Sequence, residues 1–323
     1  MIVWALALSF VAALLASGAY LRLAQRWQLF DIPNHRSAHS QPIPRGGGVG
    51  LFAGVWLAFL YLLASGYAWP LQYLYVLLLA TALVLVGVCD DRLGLPVRWR
   101  LLLYALAAAV AMWLLLAPAP LWLLALATLY SLWILNLFNF MDGIDGIAAS
   151  EAVFVFAAAA LLSIWSGTEG AYPLLCLLLA AASLGFLHWN WAPARLFMGD
   201  AGSIPLGFLL AALSVAGESG GGLPFVVWLI LLAAFIADAS YTLCWRAWQR
   251  EPVTEAHSRH LYQRLARHWS SHGRVVQCLL AYNLLWLLPL AVLALQLPAW
   301  SPAALAAAYL PLLPVLFKAG KLP

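Results

Sequence analysis

The stretch that decides both the fold and the site is NLFNFMDGID, residues 136–145, which follows an unbroken apolar run from Leu121 to Leu135. It contains four polar side chains at every third position: Asn136, Asn139, Asp142 and Asp145. In a regular helix this spacing rotates each side chain by about 60° from the last, so the four would spread over half the circumference. They converge only if the helix ends among them, which Gly143 and Gly146 permit. Two carboxylates and two amides at the mouth of an apolar helix favour a cation and phosphates over a packed core.

The composition around this stretch is that of a membrane protein. Of the 323 residues, 65% are hydrophobic and only 9% are charged, whereas a soluble domain has about 25% charged residues. Eleven apolar segments approach the roughly 20 residues that a helix needs to cross a bilayer. They lie at residues 2–21, 46–66, 70–89, 99–117, 119–137, 147–166, 171–190, 203–217, 223–245, 276–297 and 301–318. We therefore predict an all-α polytopic membrane protein with ten to eleven transmembrane helices, forming a single domain over residues 1–323.

The charged residues predict the orientation of these segments. All 16 Lys and Arg fall within two residues of the linkers after segments one, three, five, seven and nine, or of the C-terminal tail. The only charged residues in the opposite linkers are Glu169 and Glu218. By the positive-inside rule, this distribution predicts an outside N-terminus, an inside C-terminus and an active cleft at the cytoplasmic face. Basic residues beside a membrane suit anionic headgroups and phosphates, so the pI near 8.9 does not require a nucleic-acid partner.

Three further carboxylates stand at the predicted inner ends of helices. Asp90 and Asp91 close the third segment, where they oppose the helix dipole and need either nearby arginines or a cation. Asp200 stands in a Gly-Asp-Ala-Gly turn before a helix, where an ordinary N-cap is the structural alternative. Oxygen ligands favour Mg²⁺, with Mn²⁺ as a substitute. With Asp142 and Asp145, these three carboxylates are therefore candidates to bind a divalent cation.

The first inner linker contains a glycine-rich turn, Gly46–Gly50, beside Arg36, His39 and Arg45. Backbone amides at a helix start can cradle phosphate when few side chains intervene. Glycines at the same positions also allow close packing of helices. The sequence leaves both interpretations open, and the three basic residues beside the turn are candidates for binding phosphate.

The fourth and fifth inner linkers supply the remaining candidates. Phe197 could stack against a flat ring, and Asn190 lies ten residues before Asp200. His257 and His260 share one helical face, and Arg264 follows one turn later. An amphipathic helix lying on the membrane is the structural alternative for this last group. Asp238, inside the ninth segment, is a candidate either to pair with a basic residue or to help position the site.

These linkers resemble, in the same order along the chain, the motifs of the polyprenyl-phosphate N-acetylhexosamine-1-phosphate transferases. The matching stretches are PNHRSAHSQPIPRGGG (33–48), DDRLGLPVR (90–98), NLFNFMDGIDG (136–146), NWAPARLFMGDAGS (190–203) and HSRHLYQRL (257–265). The resemblance implies Mg²⁺-dependent transfer of a sugar 1-phosphate from a UDP-N-acetyl sugar to undecaprenyl phosphate, with release of UMP. It also implies a bacterial inner-membrane protein, for which a homodimer is compatible.

The resemblance also implies roles for single residues. Asp200, Asp90 and Asp91 would be catalytic. Asp200 would be the principal magnesium ligand, with Asp90, Asp91 and Asn139 as further ligands. The other roles would fall to the four polar residues of 136–145 for the nucleotide and diphosphate, to Phe197 and Asn190 for the uracil, and to His257 and His260 for catalytic contact with phosphate. Arg36, His39, Arg45 and Arg264 are expected to bind substrate.

One departure from the family pattern bears on the sugar. The spacing HSRH at 257–260 differs from the consecutive histidines of the pentapeptide branch. It looks more like enzymes that initiate O-antigen with N-acetylated 6-deoxy sugars, the first membrane step of that polysaccharide. The alternative within the family is a phospho-MurNAc-pentapeptide transferase. The alternative from another class is a cation-coupled transporter, which predicts acids near mid-membrane and inverted repeats.

Overall fold

The computed structural model describes residues 1–33, 41–252 and 257–319, and helices dominate it. The helices are α1 Ile2–Arg26, α2 Gly48–Ala64, α3 Leu71–Leu93, α4 Val97–Leu116, α5 Leu121–Phe140, α6 Ile147–Trp165, α7 Ala171–Asn190, α8 Asp200–Ser219, α9 Phe225–Leu231, α10 Ala233–Trp248, α11 Leu261–Trp269, α12 His272–Tyr282, α13 Leu288–Gln296, α14 Ser301–Tyr309 and α15 Leu312–Ala319. A π-helical turn, Asn283–Leu287, joins α12 to α13, and a 3₁₀ turn, Pro298–Trp300, precedes α14. Two short antiparallel strands, β1 Phe30–Asp31 and β2 Ile43–Pro44, pair in the first inner linker. The prediction of an all-α polytopic protein is confirmed.

The lengths of the helices support a protein that crosses the membrane many times. Within the described residues, nine helical segments are long and apolar enough to cross a bilayer. They become ten if α9 and α10, which are bent by 73° at Leu232, are counted as one broken span. Helix α2 is apolar but has only 17 residues. Each of the eleven predicted segments overlaps these helices, while the count of eleven and the orientation stay predictions.

Helix α8 forms the centre of the bundle. Its residues are buried without interruption from Ala201 to Gly217, and α3 and α5 pack along it. Helices α1, α2 and α7 pack against one another on one side, and α6 packs on α7. Because α8 begins at Asp200, this carboxylate stands near the middle of one end of the bundle.

Glycines bring α2 and α3 unusually close to the first turn of α8. A Cβ added at Gly48 would lie 2.2 Å from the Cα atom of Gly202, and one added at Gly87 would lie 2.4 Å from the amide nitrogen of Ala201. Only glycine allows backbones to approach so closely without displacement. Since Asp90 and Asp91 follow Gly87 by one turn of α3, this contact carries them towards Asp200.

The predicted orientation can be tested with reporter fusions. A periplasmic reporter fused after Gly170 should be active, and one fused after Arg250 should be inactive, because the positive-inside rule puts these linkers on opposite faces. A cytoplasmic reporter at the same two positions should give the reverse pattern. Activity of the periplasmic reporter at Arg250 would contradict the orientation.

Candidate active site

Asp200 is held between α5 and α8 by amide and hydroxyl groups. The Nδ2 atom of Asn139 donates to Oδ1 of Asp200 at 2.9 Å and to Oγ of Ser203 at 2.8 Å. The Ser203 hydroxyl in turn donates to the carbonyl of Gly199 at 3.1 Å. Gly199 has φ +69°, in the left-handed region that favours glycine. The sharp turn at Gly199 and the amide of Asn139 therefore fix the direction of the Asp200 carboxylate.

Arg100, near the start of α4, joins Asp200 to Asp90. Its Nη1 atom lies 2.5 Å from Oδ2 of Asp90 and 3.3 Å from Oδ2 of Asp200. The other oxygen of Asp90 accepts a hydrogen bond from the backbone amide of Leu95 at 2.7 Å. A guanidinium between two carboxylates offsets their mutual repulsion. The structure thus brings together two of the predicted catalytic carboxylates through a cation supplied by the protein.

Asp91 lies on the other side of the same cluster. Its Oδ1 atom is 3.8 Å from Nε of Arg45, and the Arg45 guanidinium also donates to the backbone carbonyl of Asp91. A Cβ added at Gly199 would lie 2.6 Å from Oδ2 of Asp91, so this glycine makes room for the carboxylate. That oxygen is buried and has no hydrogen-bond partner among the described residues. It is the atom of the cluster that most needs an external ligand.

The NLFNFMDGID stretch breaks as the sequence predicts, but its two acids diverge. Helix α5 ends at Phe140 and α6 begins at Ile147. Asp142, in the intervening loop, is half-buried on the side of the carboxylate cluster. Burial raises the pKa of this carboxyl well above its usual range, and the negative charges of Asp200, Asp91 and Asp145 raise it further. Such a concentration of negative charge favours the binding of a cation.

Asp145 faces away from this cluster. Its Oδ1 atom lies 3.2 Å from Nδ1 of His272, and its Oδ2 atom accepts from the backbone amide of Ala194 at 3.0 Å. These contacts tie the loop after α5 to the start of α12 and to the linker after α7. Asp145 thus joins three segments, and the expectation that Asp142 and Asp145 both face the substrate stays a prediction.

The side-chain amides of two predicted site residues, Asn136 and Asn190, hydrogen-bond to backbone groups. Asn136 donates from Nδ2 to the carbonyl of Leu132 at 2.7 Å within α5. Asn190 is 2% exposed, accepts from the amide of Gly146 at 3.2 Å and donates to the carbonyl of Leu196 at 3.0 Å. Asn190 therefore joins two linkers. The expectation that Asn190 meets the uracil stays a prediction.

The glycine-rich turn packs against the linker before Asp200. The amides of Gly47 and Gly48 donate to the carbonyls of Phe197 and Met198 at 2.9 and 3.0 Å. The following two amides donate to carbonyls within the turn itself. The amides are used within the protein, so close packing explains these glycines better than a phosphate cradle. The side chain of Phe197 is partly exposed, and Arg36 and His39 lie outside the described residues.

The contacts of the histidine pair are with α10 and with the start of α11. His260 is 2% exposed, with Nδ1 3.4 Å from Oδ1 of Asp238. Its ring lies 4.8 Å from that of His257, centroid to centroid. The Nε atom of Arg264 donates to the carbonyl of Arg259 at 3.0 Å. His257 is partly exposed and stays a candidate for contact with phosphate. His260 is buried against Asp238, and its predicted contact with phosphate stays a prediction.

The pKa of His257 predicts how stability depends on pH. Burial is the main cause that lowers this pKa from 6.5 to about 4, and the nearby His260, Arg246 and Arg259 contribute in the same direction. Between pH 6.5 and 4 the unfolded chain therefore binds more protons at this position than the folded chain, and stability falls as the pH falls. In thermal unfolding, His257→Gln should lose less stability between pH 7 and pH 5 than the wild type. Equal losses would contradict this assignment.

The residues fit a divalent cation when a phosphate shares it. Within the part of the chain that the structure describes, no group of three His, Cys, Asp or Glu side chains is placed to hold a metal ion. Mg²⁺, however, is usually bound by one or two carboxylates together with substrate phosphates and water. The unpaired Oδ2 of Asp91 and the adjacent carboxylates of Asp90 and Asp200 supply this kind of incomplete ligand set.

Comparison with known proteins gives one matching family and several similar transferases. A model of glycosyl transferase family 4 matches residues 73–218. A probable undecaprenyl-phosphate N-acetylglucosaminyl 1-phosphate transferase of Bacillus subtilis (strain 168) is 27% identical, covering 84% of this chain and 79% of the relative. A decaprenyl-phosphate N-acetylglucosaminephosphotransferase of Mycobacterium tuberculosis (strain ATCC 25618 / H37Rv) is 29% identical, covering 81% and 74%. A phospho-N-acetylmuramoyl-pentapeptide-transferase of Mycobacterium sp. (strain JLS) is 34% identical, covering 64% and 71%.

The fold and the site define a multi-pass membrane protein whose carboxylates and arginines gather at one end of a helical bundle. Together with these relatives, they show that the chain belongs to glycosyl transferase family 4, the polyprenyl-phosphate N-acetylhexosamine-1-phosphate transferases. The family resemblance predicted from the linkers is confirmed. The chain is accordingly a polyprenyl-phosphate sugar-1-phosphate transferase.

Several residues of the site were not among the sequence candidates. Arg100 contacts Asp200 directly, Ser203 accepts a hydrogen bond from Asn139, and His272 pairs with Asp145. The sequence did point to Arg100, because Asp90 and Asp91 at the end of a helix were expected to need a nearby arginine or a cation. Ser203 lies one helical turn after Asp200 on the same face of α8. His272 had no signal in the sequence, because it is 127 residues from its partner.

Proposed function

We propose that this protein transfers an N-acetylhexosamine 1-phosphate, or its 6-deoxy form, from a UDP-sugar to undecaprenyl phosphate. UMP is released and an undecaprenyl-pyrophosphoryl sugar is formed. The observation that carries the proposal is the convergence of Asp90, Asp91 and Asp200 with Arg45 and Arg100 at the ends of three packed helices. The site belongs to one membrane domain, residues 1–323, and lies at the cytoplasmic face of the bacterial inner membrane.

The reaction joins two anionic substrates. An oxygen of the lipid phosphate attacks the β-phosphorus of the UDP-sugar, the bond from that phosphorus to the bridging oxygen breaks, and UMP leaves with the bond's electron pair. The attacking phosphate monoester has a second pKa of about 6, so it is largely ionised at neutral pH and needs little help from a general base. Direct in-line attack is therefore preferred to a covalent aspartyl intermediate.

The residues of the cluster have separate tasks in this reaction. Asp91, Asp90, Asp200 and Asn139 would hold Mg²⁺, for which Mn²⁺ could substitute. When bound, the metal ion would neutralise negative charge on the diphosphate and the leaving group. Arg45 and Arg100 would reduce the repulsion between the two substrates, since guanidinium groups match phosphate oxygens in geometry as well as charge.

The surroundings of the cluster would bind the rest of the nucleotide sugar. We propose that Asp142 and Phe197 border the nucleotide, with the Phe197 ring stacking on the uracil. His257 would contact phosphate as a neutral imidazole, because its pKa is lowered to about 4, and Arg264 would lie beside it. Arg36 and His39 keep their proposed role in binding phosphate.

The spacing HSRH at 257–260 favours a deoxy-sugar and a place at the first membrane step of O-antigen or another envelope polysaccharide. The pentapeptide-transferase alternative is supported by the 34% identical mycobacterial relative. It predicts that UDP-MurNAc-pentapeptide is the preferred donor. A second copy of the chain, as a homodimer, is compatible with either substrate.

A donor panel tests the proposal. Purified protein in detergent or liposomes would be given undecaprenyl phosphate, Mg²⁺ and one UDP-sugar at a time: UDP-GlcNAc, a UDP-N-acetyl-6-deoxyhexosamine or UDP-MurNAc-pentapeptide. We expect a lipid-linked product with one of the first two. A product only with the pentapeptide donor would establish the alternative. The absence of a lipid product with every donor, although the protein is folded, would overturn the proposal.

A further inference from the structure

Helix α11 is capped by a carboxylate from a different helix. The first amides of a helix lack partners within it and are usually satisfied by a side chain just before its start. In α11, His260 and Gln263 form a local capping box, and Asp238 of α10 supplies further acceptors although it is more than twenty residues away. Its Oδ1 accepts from the amide of Leu261 at 2.9 Å, and its Oδ2 accepts from the amide of Tyr262 at 3.1 Å. The Thr242 hydroxyl donates to Oδ1 at 3.2 Å.

The surroundings of Asp238 make this cap a strong attachment. The carboxylate is 3% exposed, and a buried carboxylate is stable only when hydrogen bonds satisfy it. It also faces the positive end of the α11 dipole. Asp238 lies six residues after the bend between α9 and α10. The start of α11 is therefore fixed to the inner half of the broken span.

The same turn of α11 contacts the loop that carries Asp142. The Tyr262 hydroxyl donates to the carbonyl of Phe140 at 2.9 Å, at the end of α5, where helix carbonyls lack partners of their own. A Cβ added at Gly143 would lie 2.1 Å from this hydroxyl oxygen, so the loop packs directly on the phenol. Tyr262 is 4% exposed. Asp238, the first turn of α11 and Tyr262 thus form a continuous connection from α10 to the loop after α5.

We propose that Asp238 is a positioning residue for the transfer reaction, acting through Tyr262 to set the place of the loop after α5, which carries Asp142. Asp238 itself does not touch the reacting groups. The proposal rests on the proposed function for its effect on turnover, but the connection can also be measured without turnover. Errors of about 1 Å in the position of a substrate-contacting group can cost up to about a hundredfold in rate.

The kinetic test compares Asp238→Asn, Tyr262→Phe and the double variant. Each single variant should lower kcat by about tenfold or more and change the KM for the UDP-sugar much less. If both residues act through one connection, the double variant should be close to the worse single variant, and the two losses should not multiply. Tyr282→Phe is the matched control, because it removes a phenol-to-carbonyl hydrogen bond of 2.7 Å, to Ala308, in the other part of the bundle.

A structural test removes the dependence on activity. Hydrogen exchange of residues 139–146 should be faster in Asp238→Asn and in Tyr262→Phe than in the wild type, and unchanged in Tyr282→Phe. Unchanged exchange in that loop, or losses in kcat that multiply in the double variant, would overturn the inference. An inactive wild type with faster loop exchange in the two variants would instead overturn the proposed function and leave the connection standing.

Discussion

Asp200→Asn is expected to abolish transfer, with a loss in kcat on the order of a thousandfold or more. The substitution preserves the shape of the side chain and its contact with Asn139, but removes the charge between Arg100 and the proposed metal. Turnover would be measured as UMP release at saturating Mg²⁺. Glu169→Gln is the matched control, since it also neutralises one acid but lies in an exposed linker after α6.

Thermal unfolding separates this effect from misfolding. Without metal or substrate, Asp200→Asn should unfold at a temperature close to that of the wild type, because it removes one member of a like-charged group. A variant that keeps more than about a tenth of the wild-type turnover would remove Asp200 from the centre of the reaction. A variant that no longer folds would instead give Asp200 a structural role.

Gly87→Ala is expected to separate α3 from α8. The new methyl group would lie 2.4 Å from the amide nitrogen of Ala201 and 2.5 Å from its Cα atom. These backbone atoms cannot rotate away, so the helices must move apart, at a cost of about 1–3 kcal/mol in the free energy of unfolding. Asp90 and Asp91 would move with α3, and turnover should fall by more than about tenfold.

Gly273→Ala is the control for this substitution. A Cβ at Gly273 would have its nearest neighbour, the Cβ atom of Ala192, at 3.9 Å, which is an ordinary contact. Its stability and turnover should stay close to those of the wild type. Equal behaviour of the two glycine variants would show that the approach of α3 to α8 does not set the geometry of the site.

The sequence predicted the fold and the centre of the site for clear physical reasons. Apolar segments long enough to cross a bilayer must form helices in lipid, because their backbone groups have no other partner. The three-residue spacing in NLFNFMDGID required a break, and α5 does end at Phe140. Asp90, Asp91 and Asp200 were expected together because all three stood at predicted inner ends of helices, and the structure places them in one cluster.

The sequence could not distinguish residues that bind substrate from residues that hold the linkers together. Both kinds are polar and occur in the same short stretches. Asp145 and Asn190 satisfy backbone amides of other linkers, and His260 packs against Asp238. These partners depend on which linkers meet in space, which hydrophobic periodicity does not reveal. The bend of 73° between α9 and α10 could not be predicted either, because the residues on both sides of Leu232 are apolar.

The central claim is that the sugar moves together with the β-phosphate of its nucleotide donor. The most direct measurement uses a UDP-N-acetyl sugar labelled with ³²P in the β-phosphate, purified protein and undecaprenyl phosphate. The account predicts that the label appears in the lipid product and that the released nucleotide is unlabelled UMP. Release of labelled UDP, with an unlabelled lipid product, would contradict it.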